Sequence, residues 1–336
     1  MPDQQVSNLE YFQFRDLHPN VFMGTASDRY AGWIGQIYSG QRYAGNINRR
    51  SKKIGGKTFV EEVLPVESVE EYFRHFRILE LDFTFYRPLL DKDGKATQNL
   101  HVLRAYTQYL NKTDRLILKV PQAVFAKKLW QKGTHIENEE YLNPEVFTRQ
   151  FYEPALGVLA AWLDGFIFEQ EYQRKQDRPS PKTLANELDN FFSSVPKDTR
   201  YHVEIRTDAL LADPVFNVLE KHGVGQVLSH WTWLPQLSRQ FAMSAKRFLN
   251  KGKQCMIRLM TPRGIRYEDA YAKAHPFSAI VDGMVDPQMI DETVDIMRTA
   301  IEDDVQINVI INNRSGGNAP LIAQKIARQF LAGQSD

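Results

Sequence analysis

The stretch Leu79-Glu80-Leu81-Asp82-Phe83-Thr84-Phe85-Tyr86-Arg87-Pro88 decides the fold. It begins as an alternating strand. Leu79, Leu81 and Phe83 share one face; Glu80, Asp82 and Thr84 share the other. Two carboxylates on one side of a strand are costly to bury unless they are paired or used. An apolar face under helices and an acidic face turned inward fit one strand of a barrel. The spacing therefore predicts that Glu80 and Asp82 point into the barrel.

Outward from this stretch the same unit repeats. Strands are expected at 21–25, 115–120, 165–170, 201–206, 225–230, 254–260 and 307–313. Helices are expected between them. Asn143-Pro144, Ser180-Pro181, Asp213-Pro214 and Asp286-Pro287 each pair a capping side chain with a first-turn proline, and Asn318 with Pro320 repeats the device. Ser68-x-x-Glu71 reads as a capping box; further helices are expected over about 97–110 and 235–250. Eight strand–helix units predict an α/β fold, a single (β/α)8 TIM-type barrel over about 21–331. Residues 1–20 read as an N-terminal extension, 36–66 as a long basic loop after the first strand, and 125–142 as a polar excursion. An open doubly wound sheet would usually carry a glycine-rich turn after its first strand, and Gly24-Thr25-Ala26-Ser27 is not one.

Composition narrows the class. Lys plus Arg is 42 and Asp plus Glu is 41, so net charge points to no polyanionic or acidic partner. The single cysteine, Cys255, excludes an internal disulfide and reads as a buried small hydrophobe. There is no basic segment followed by an apolar run at the N-terminus, and no apolar stretch long enough to span a bilayer. A cytoplasmic protein without a membrane partner is the expectation; the sequence does not speak to oligomeric state.

Gly24-Thr25 with Trp33, Leu79-Glu80-x-Asp82-x-Thr84-Phe85-Tyr86, Lys119-Val120-Pro121, Glu204-Ile205-Arg206, Ile257-Arg258 and Asn312-Asn313-x-x-Gly316-Gly317-Asn318-Ala319-Pro320 follow one another in a fixed order. In this order they resemble the domain of unknown function 72 family. The resemblance implies a TIM-type barrel over about 21–331 and lends no settled reaction. Asp82 stands where that family usually has Asn, and Thr207 where it usually has His.

In such barrels chemistry lies at the C-terminal strand ends. Parity turns Glu80, Asp82, Lys119, Glu204, Arg206 and Arg258 inward, and Gln226, Leu228 and His230 on strand six; Glu169 and Asn312 are ambiguous because both faces of their strands are apolar. Glu80, Asp82, Glu204, Arg206 and Arg258 are the catalytic candidates, a carboxylate serving as general base and the arginines holding negative charge. Thr25, Trp33, Tyr86, Lys119, Glu169, His230, Asn312, Asn313, Gly316 and Gly317 are the substrate-binding candidates. Tyr86, Trp33, Tyr172, Trp231 and Trp233 offer rings for stacking. Ser315-Gly316-Gly317-Asn318 leads into a helix N-terminus, where anions are favoured, although a tight turn and N-cap explain the same letters. Glu80, Asp82, Glu169 and Glu204 have the oxygen chemistry for Mg²⁺ or Mn²⁺, with nearby arginines competing for them.

These readings converge on an enzyme, a hydrolase, lyase or isomerase, acting at the barrel mouth on a small anionic substrate such as a phosphorylated sugar or nucleotide fragment. The alternative is a non-catalytic ligand or nucleic-acid binder using the basic run 49–57 with the mouth. No Gly-x-Ser-x-Gly, Walker-type loop or His-Glu-x-x-His occurs.

Overall fold

A computed structural model of the chain describes residues 2–131 and 133–333. Met1 of the expected extension and Lys132 of the polar excursion lie outside them. Eight parallel strands close a barrel: β1 (Val21–Ala26), β2 (Ile78–Leu81), β3 (Arg115–Lys119), β4 (Leu163–Glu169), β5 (Tyr201–Glu204), β6 (Gly225–His230), β7 (Gln254–Leu259) and β8 (Gln306–Ile311). Each strand pairs with its neighbour in the chain, and β8 returns to β1, with Val21 opposite Ile307 and Thr25 opposite Ile311. The fold is therefore a (β/α)8 barrel.

Side-chain parity builds two cores. Leu79, Leu81, Leu118, Val203 and Ile257 face the helices. Phe22, Ile78, Ile117, Ile167, Val227, Met256 and Ile310 fill the barrel's middle layer. Above that layer, toward the C-terminal strand ends, the interior turns ionic. Strand six is opposite in parity to the sequence expectation. Val227 and Ser229 face inward, and Leu228 belongs to the outer core. A strand buried on both faces carries no polar–apolar contrast to fix its register.

Four of the expected helix starts form by the expected means. Asn143, Ser180, Asp286 and Asn318 each accept a hydrogen bond from a first-turn backbone N–H, with proline next to them in the first turn. Asp213 instead lies inside its helix, behind an Ala212 cap. Ser68 caps nothing through its side chain, and Glu71 accepts from Ser39 N at 2.9 Å instead. The 235–250 helix is confined to Leu237–Met243, because Ala245 and Lys246 both turn to φ 57°.

Three additions decorate the barrel. A helix over Pro2–Glu10 lies on the last helix, Ala319–Ala332, where Gln324 Nε2 donates to Leu9 O at 2.8 Å and Arg328 pairs with Glu10. The 36–66 connection is not an open loop. It holds an antiparallel hairpin, Asn48–Ile54 against Lys57–Val63. Across that hairpin Arg49 pairs with Glu62, and Arg50 and Lys52 pair with Glu61. The basic run reads as a charge block in sequence because its carboxylate partners are supplied by the returning strand. A second hairpin, Lys128–Gln131 against Thr134–Glu137, follows β3. Cys255 is buried, and burial pushes its thiol up to about 12. Among the described residues no helix is long and apolar enough to cross a membrane.

Candidate active site at the barrel mouth

The mouth is built from consecutive strand ends. β2 delivers Glu80, then breaks into a tight turn over Asp82–Phe85. Thr84 Oγ1 fixes that turn by hydrogen bonds to Leu81 O and Lys119 O, at 3.0 and 2.7 Å. The turn ends the alternation that the sequence extends to Thr84, yet Asp82 still reaches the mouth. β3 ends in Lys119, β4 in Glu169, β5 in Glu204 followed by Arg206, and β7 carries Arg258.

Arg258 is the centre of the ionic layer and has no solvent exposure. Its Nε and Nη2 donate to the two oxygens of Glu80 at 2.7 and 2.5 Å; its Nη1 donates to Glu169 at 3.0 Å and to Glu204. Glu204 also accepts from Ser229 Oγ at 2.6 Å. Arg206 grips Glu169 through Nη1 and Nη2, both at 2.8 Å, and Lys119 Nζ reaches the same carboxylate at 2.5 Å. Lys119 lies 3.7 Å from Asp82 Oδ1 and 4.0 Å from the Phe85 ring centre.

Four carboxylates thus meet three cations, and the surplus sets the protonation. Burial pushes Glu80 up to about 8, with Arg258 opposing and the Asp82 charge adding to the rise. Burial also disfavours charge on Asp82, but Lys119, a hydrogen bond with Glu80 and Arg258 outweigh it and hold its carboxyl below the ordinary range. Glu169 is buried as deeply, and Arg206, Lys119 and Arg258 together hold it far below that range. Burial and the Asp82 charge thus favour the protonated form of Glu80, beside an Asp82 held toward its carboxylate form. Asp82 Oδ1 has no hydrogen-bond donor.

Above this layer lies a cavity of about 860 Å³. Asp82, Lys119, Glu169, Arg206 and Asn312 line it, while Glu80, Glu204 and Arg258 form the packed layer beneath. Tyr86, 71% exposed, stands in the wall. The other expected binders lie elsewhere. Thr25 is buried, with Oγ1 on Ser27 O and on Tyr72. Trp33 is fully buried and donates to Asn313 Oδ1 at 3.0 Å; that oxygen also accepts from Ala319 N. His230 points outward toward Asp286, 3.6 Å away, and burial lowers its pKa. Gly316 and Gly317 lie under the 279–285 segment. Val281 N donates to Gly316 O, and a Cβ on Gly317, at φ 110°, would strike Ala279 O. Asn318 caps the helix that follows. The turn-and-cap reading of 315–318 describes this geometry.

Sequence reasoning missed several cavity residues. Asp28 is buried; Tyr106 Oη donates to its Oδ1 at 2.9 Å, and Oδ2 has no partner. Burial raises its pKa, with Arg29 and Tyr106 opposing. Arg314 lies over the Tyr267 ring at 4.3 Å, with Nε unpartnered. Arg50, Lys52 and Glu61 bring the hairpin into the wall, where Tyr271 Oη donates to Glu61 at 2.6 Å. Arg314 had a usable signal, being two residues past Asn312 at a strand end. The hairpin residues had none. Among the described residues no cluster of three or more His, Cys, Asp or Glu is arranged for a metal. Glu80, Glu169 and Glu204, which have the oxygen chemistry for Mg²⁺ or Mn²⁺, are in contact with the arginines and the lysine that compete for them.

Fold and site define a TIM-type barrel protein with a charged, aromatic-walled cavity at its C-terminal mouth. The family profile described as Protein of unknown function DUF72 matches residues 48–335, and the chain belongs to that family. A DUF72 family protein from Thermotoga maritima superposes with a TM-score of 0.56 at 14% identity, over 94% of this chain and 99% of that one. One from Enterococcus faecalis does so with a TM-score of 0.54 at 12% identity, over 95% and 99%. At these identities the likeness is one of fold. No curated protein matches the sequence.

Proposed function

We propose that this chain is an enzyme that moves a proton on a small anionic substrate bound in the mouth cavity, in hydrolase, lyase or isomerase chemistry. One observation carries the reading. The buried polar atoms without partners that belong to cavity residues include three donors, Arg206 Nε, Arg314 Nε and Asn312 Nδ2, and the acceptor Asp82 Oδ1. Unpaired buried donors cost about 1–3 kcal/mol each, more when charged, and an anionic ligand would satisfy them. Asp82 is the general base in this reading. It lines the cavity, its carboxyl is held below the ordinary range and its Oδ1 accepts no hydrogen bond. Glu80 behind it is shifted toward its protonated form, so the proton Asp82 takes from substrate stays on Asp82 until it is returned to substrate or passed to water. Glu169 is too firmly held by three cations to act as a base; it positions Lys119 and Arg206. Three of the cations in the 49–57 run, Arg49, Arg50 and Lys52, are paired with Glu62 and Glu61, which weakens the nucleic-acid alternative. A cytoplasmic setting accords with this reading.

The test is a thermal-shift screen of phosphorylated sugars, sugar acids and nucleotides, followed by turnover assays on each stabilising compound. Asp82→Asn is expected to keep the ligand-induced shift and lose about 10²–10⁴-fold in turnover. Arg314→Ala is expected to lose the shift. Unchanged turnover in Asp82→Asn overturns the assignment of the base.

A further inference from the structure

The cavity does not end at its rim. Trp231 lines it, with Arg206 5.0 Å from its ring centre. Outside, Tyr172 lies 6.2 Å from Trp231 and 5.7 Å from Trp233, the latter pair tilted by only 33°. Tyr172 follows β4, and Trp231 and Trp233 follow β6, so the three rings form one aromatic shelf at the C-terminal face, with Trp231 set at 54° to Tyr172 where the shelf meets the cavity. Tyr172 is 44% exposed and Trp233 45%. The placement is selective. Of the exposed aromatic side chains among the described residues, Tyr86, Trp130, Tyr172 and Trp233 all follow barrel strands on the mouth side, and only Tyr11 lies elsewhere. Large rings held in water next to a polar cavity mark a place where another flat surface is received.

The polar lining says what kind of surface. The lining mixes carboxylates at Asp28, Glu61, Glu62, Asp82 and Glu169 with cations at Arg50, Lys52, Lys119, Arg206 and Arg314, which suits a ligand unit with one acid group among hydroxyls better than a strand with a phosphate on every unit. The partnerless atoms are of both kinds: acceptors on Asp28 and Asp82, donors on Arg206, Arg314 and Asn312. A hydroxyl-bearing ring both donates and accepts, and its C–H face stacks on indole and phenol rings; an acid group on it answers the arginines. Resting on the proposed mouth site, we infer that the substrate is an acidic oligosaccharide. Its acid-bearing terminal unit enters the cavity, and a neighbouring sugar ring lies on the Trp231–Tyr172–Trp233 shelf.

The experiment measures binding by calorimetry on the full chain, with uronate trisaccharides (galacturonate and glucuronate series), the matching monosaccharides, a neutral cellotriose and a (dT)3 oligonucleotide as probes. At least one acidic trisaccharide is expected to bind ten-fold or more tighter than its monosaccharide. Trp233→Ala, on an exposed residue, is expected to bring the trisaccharide down to the monosaccharide's affinity without altering the monosaccharide. Tyr172→Phe is expected to retain the trisaccharide advantage. Equal affinity of trimer and monomer, indifference to Trp233→Ala, failure of every acidic trisaccharide, or equal binding of cellotriose or (dT)3 each overturns the inference. Asp82→Asn separates this from the catalytic reading: trisaccharide binding that survives in a protein whose turnover never depended on Asp82 leaves the shelf standing and removes the base.

Discussion

The two ends of the barrel interior bury carboxylates in opposite ways. At the N-terminal end Asp164 of β4 accepts from Gln306 Nε2 at 2.9 Å and from Asn308 Nδ2 at 3.2 Å. Burial raises its pKa, and the two amides only partly offset this. At the C-terminal end four carboxylates share Arg258, Arg206 and Lys119. One carboxyl held by neutral amides is enough to plug a barrel end. The mouth keeps several formal charges, which burial penalises and which plugging does not require. That contrast supports the proposal that the mouth carries the chemistry.

The largest expected effect breaks the ionic layer. Arg258→Ala takes the guanidinium between Glu169 and Glu204 away from both buried carboxylates, leaving Glu204 only the longer 3.3 Å contact with Arg206 as a cation partner, and removes both hydrogen bonds to Glu80. Removing one partner of a buried ion pair costs about 3–5 kcal/mol. Chemical denaturation of Arg258→Ala beside the parent measures it. A loss under 1 kcal/mol would mean that the layer relaxes by protonation or water entry, and that the two ends are more alike than the geometry implies.

The next effect is in pH. Glu80 has a folded-state pKa raised to about 8 from the ordinary glutamate value of 4.5, so the folded protein holds a proton that the unfolded chain has released across that window. Its contribution is full below the unfolded value and is lost as pH rises toward 8, by at most about 1.4 kcal/mol per pH unit. Asp82 and Glu169 are shifted down, so their contributions are present above the ordinary carboxylate range and lost as pH falls below it. Comparing Glu80→Gln with the parent isolates the first term. The parent should lose stability relative to the variant between about pH 5 and 8. A constant difference across that range would show that Arg258 keeps Glu80 ionised.

The sequence exposes one end of this contrast better than the other. Glu80-x-Asp82 between leucines and Arg258 between Ile257 and Leu259 declare their parity, because a charge among aliphatics has one side to go to. Gly225–His230 declares nothing, since Val227 and Leu228 are equally apolar and only contact with Glu204 reveals Ser229 as the inward residue. Arg258 also shows the limit of parity. It predicts the inward direction and is silent on depth, so a residue expected to meet the ligand lies in the layer beneath. The hairpin over Asn48–Val63 is opaque for another reason. Its pairing partners are up to fifteen residues apart, Asn48 opposite Val63, and the basic strand read alone looks unneutralised. Asp28 and Arg314 sit just past strand ends, where loop geometry and not alternation aims the side chain.

The smallest expected effect sharpens the comparison at the quiet end. Asp164→Asn swaps a carboxyl for an amide of nearly the same shape. Its oxygen can take the place of Asp164 Oδ2 as acceptor for Gln306 and Asn308. No cation is stranded, because these hydrogen bonds come from neutral amides. A hydrogen bond kept with a neutral acceptor changes stability by about 1 kcal/mol or less. Since the folded-state pKa of Asp164 is raised, its favourable contribution is also lost as pH rises through that shifted value, so the variant should gain slightly on the parent toward neutral pH. Thermal unfolding of both proteins at acid and neutral pH reads this directly. A loss as large as that of Arg258→Ala would mean that Asp164 is ionised and held by Arg115 or Arg200, both of which oppose its pKa rise. The N-terminal plug would then be a charged layer like the mouth, and charge alone would no longer distinguish the end that carries the site.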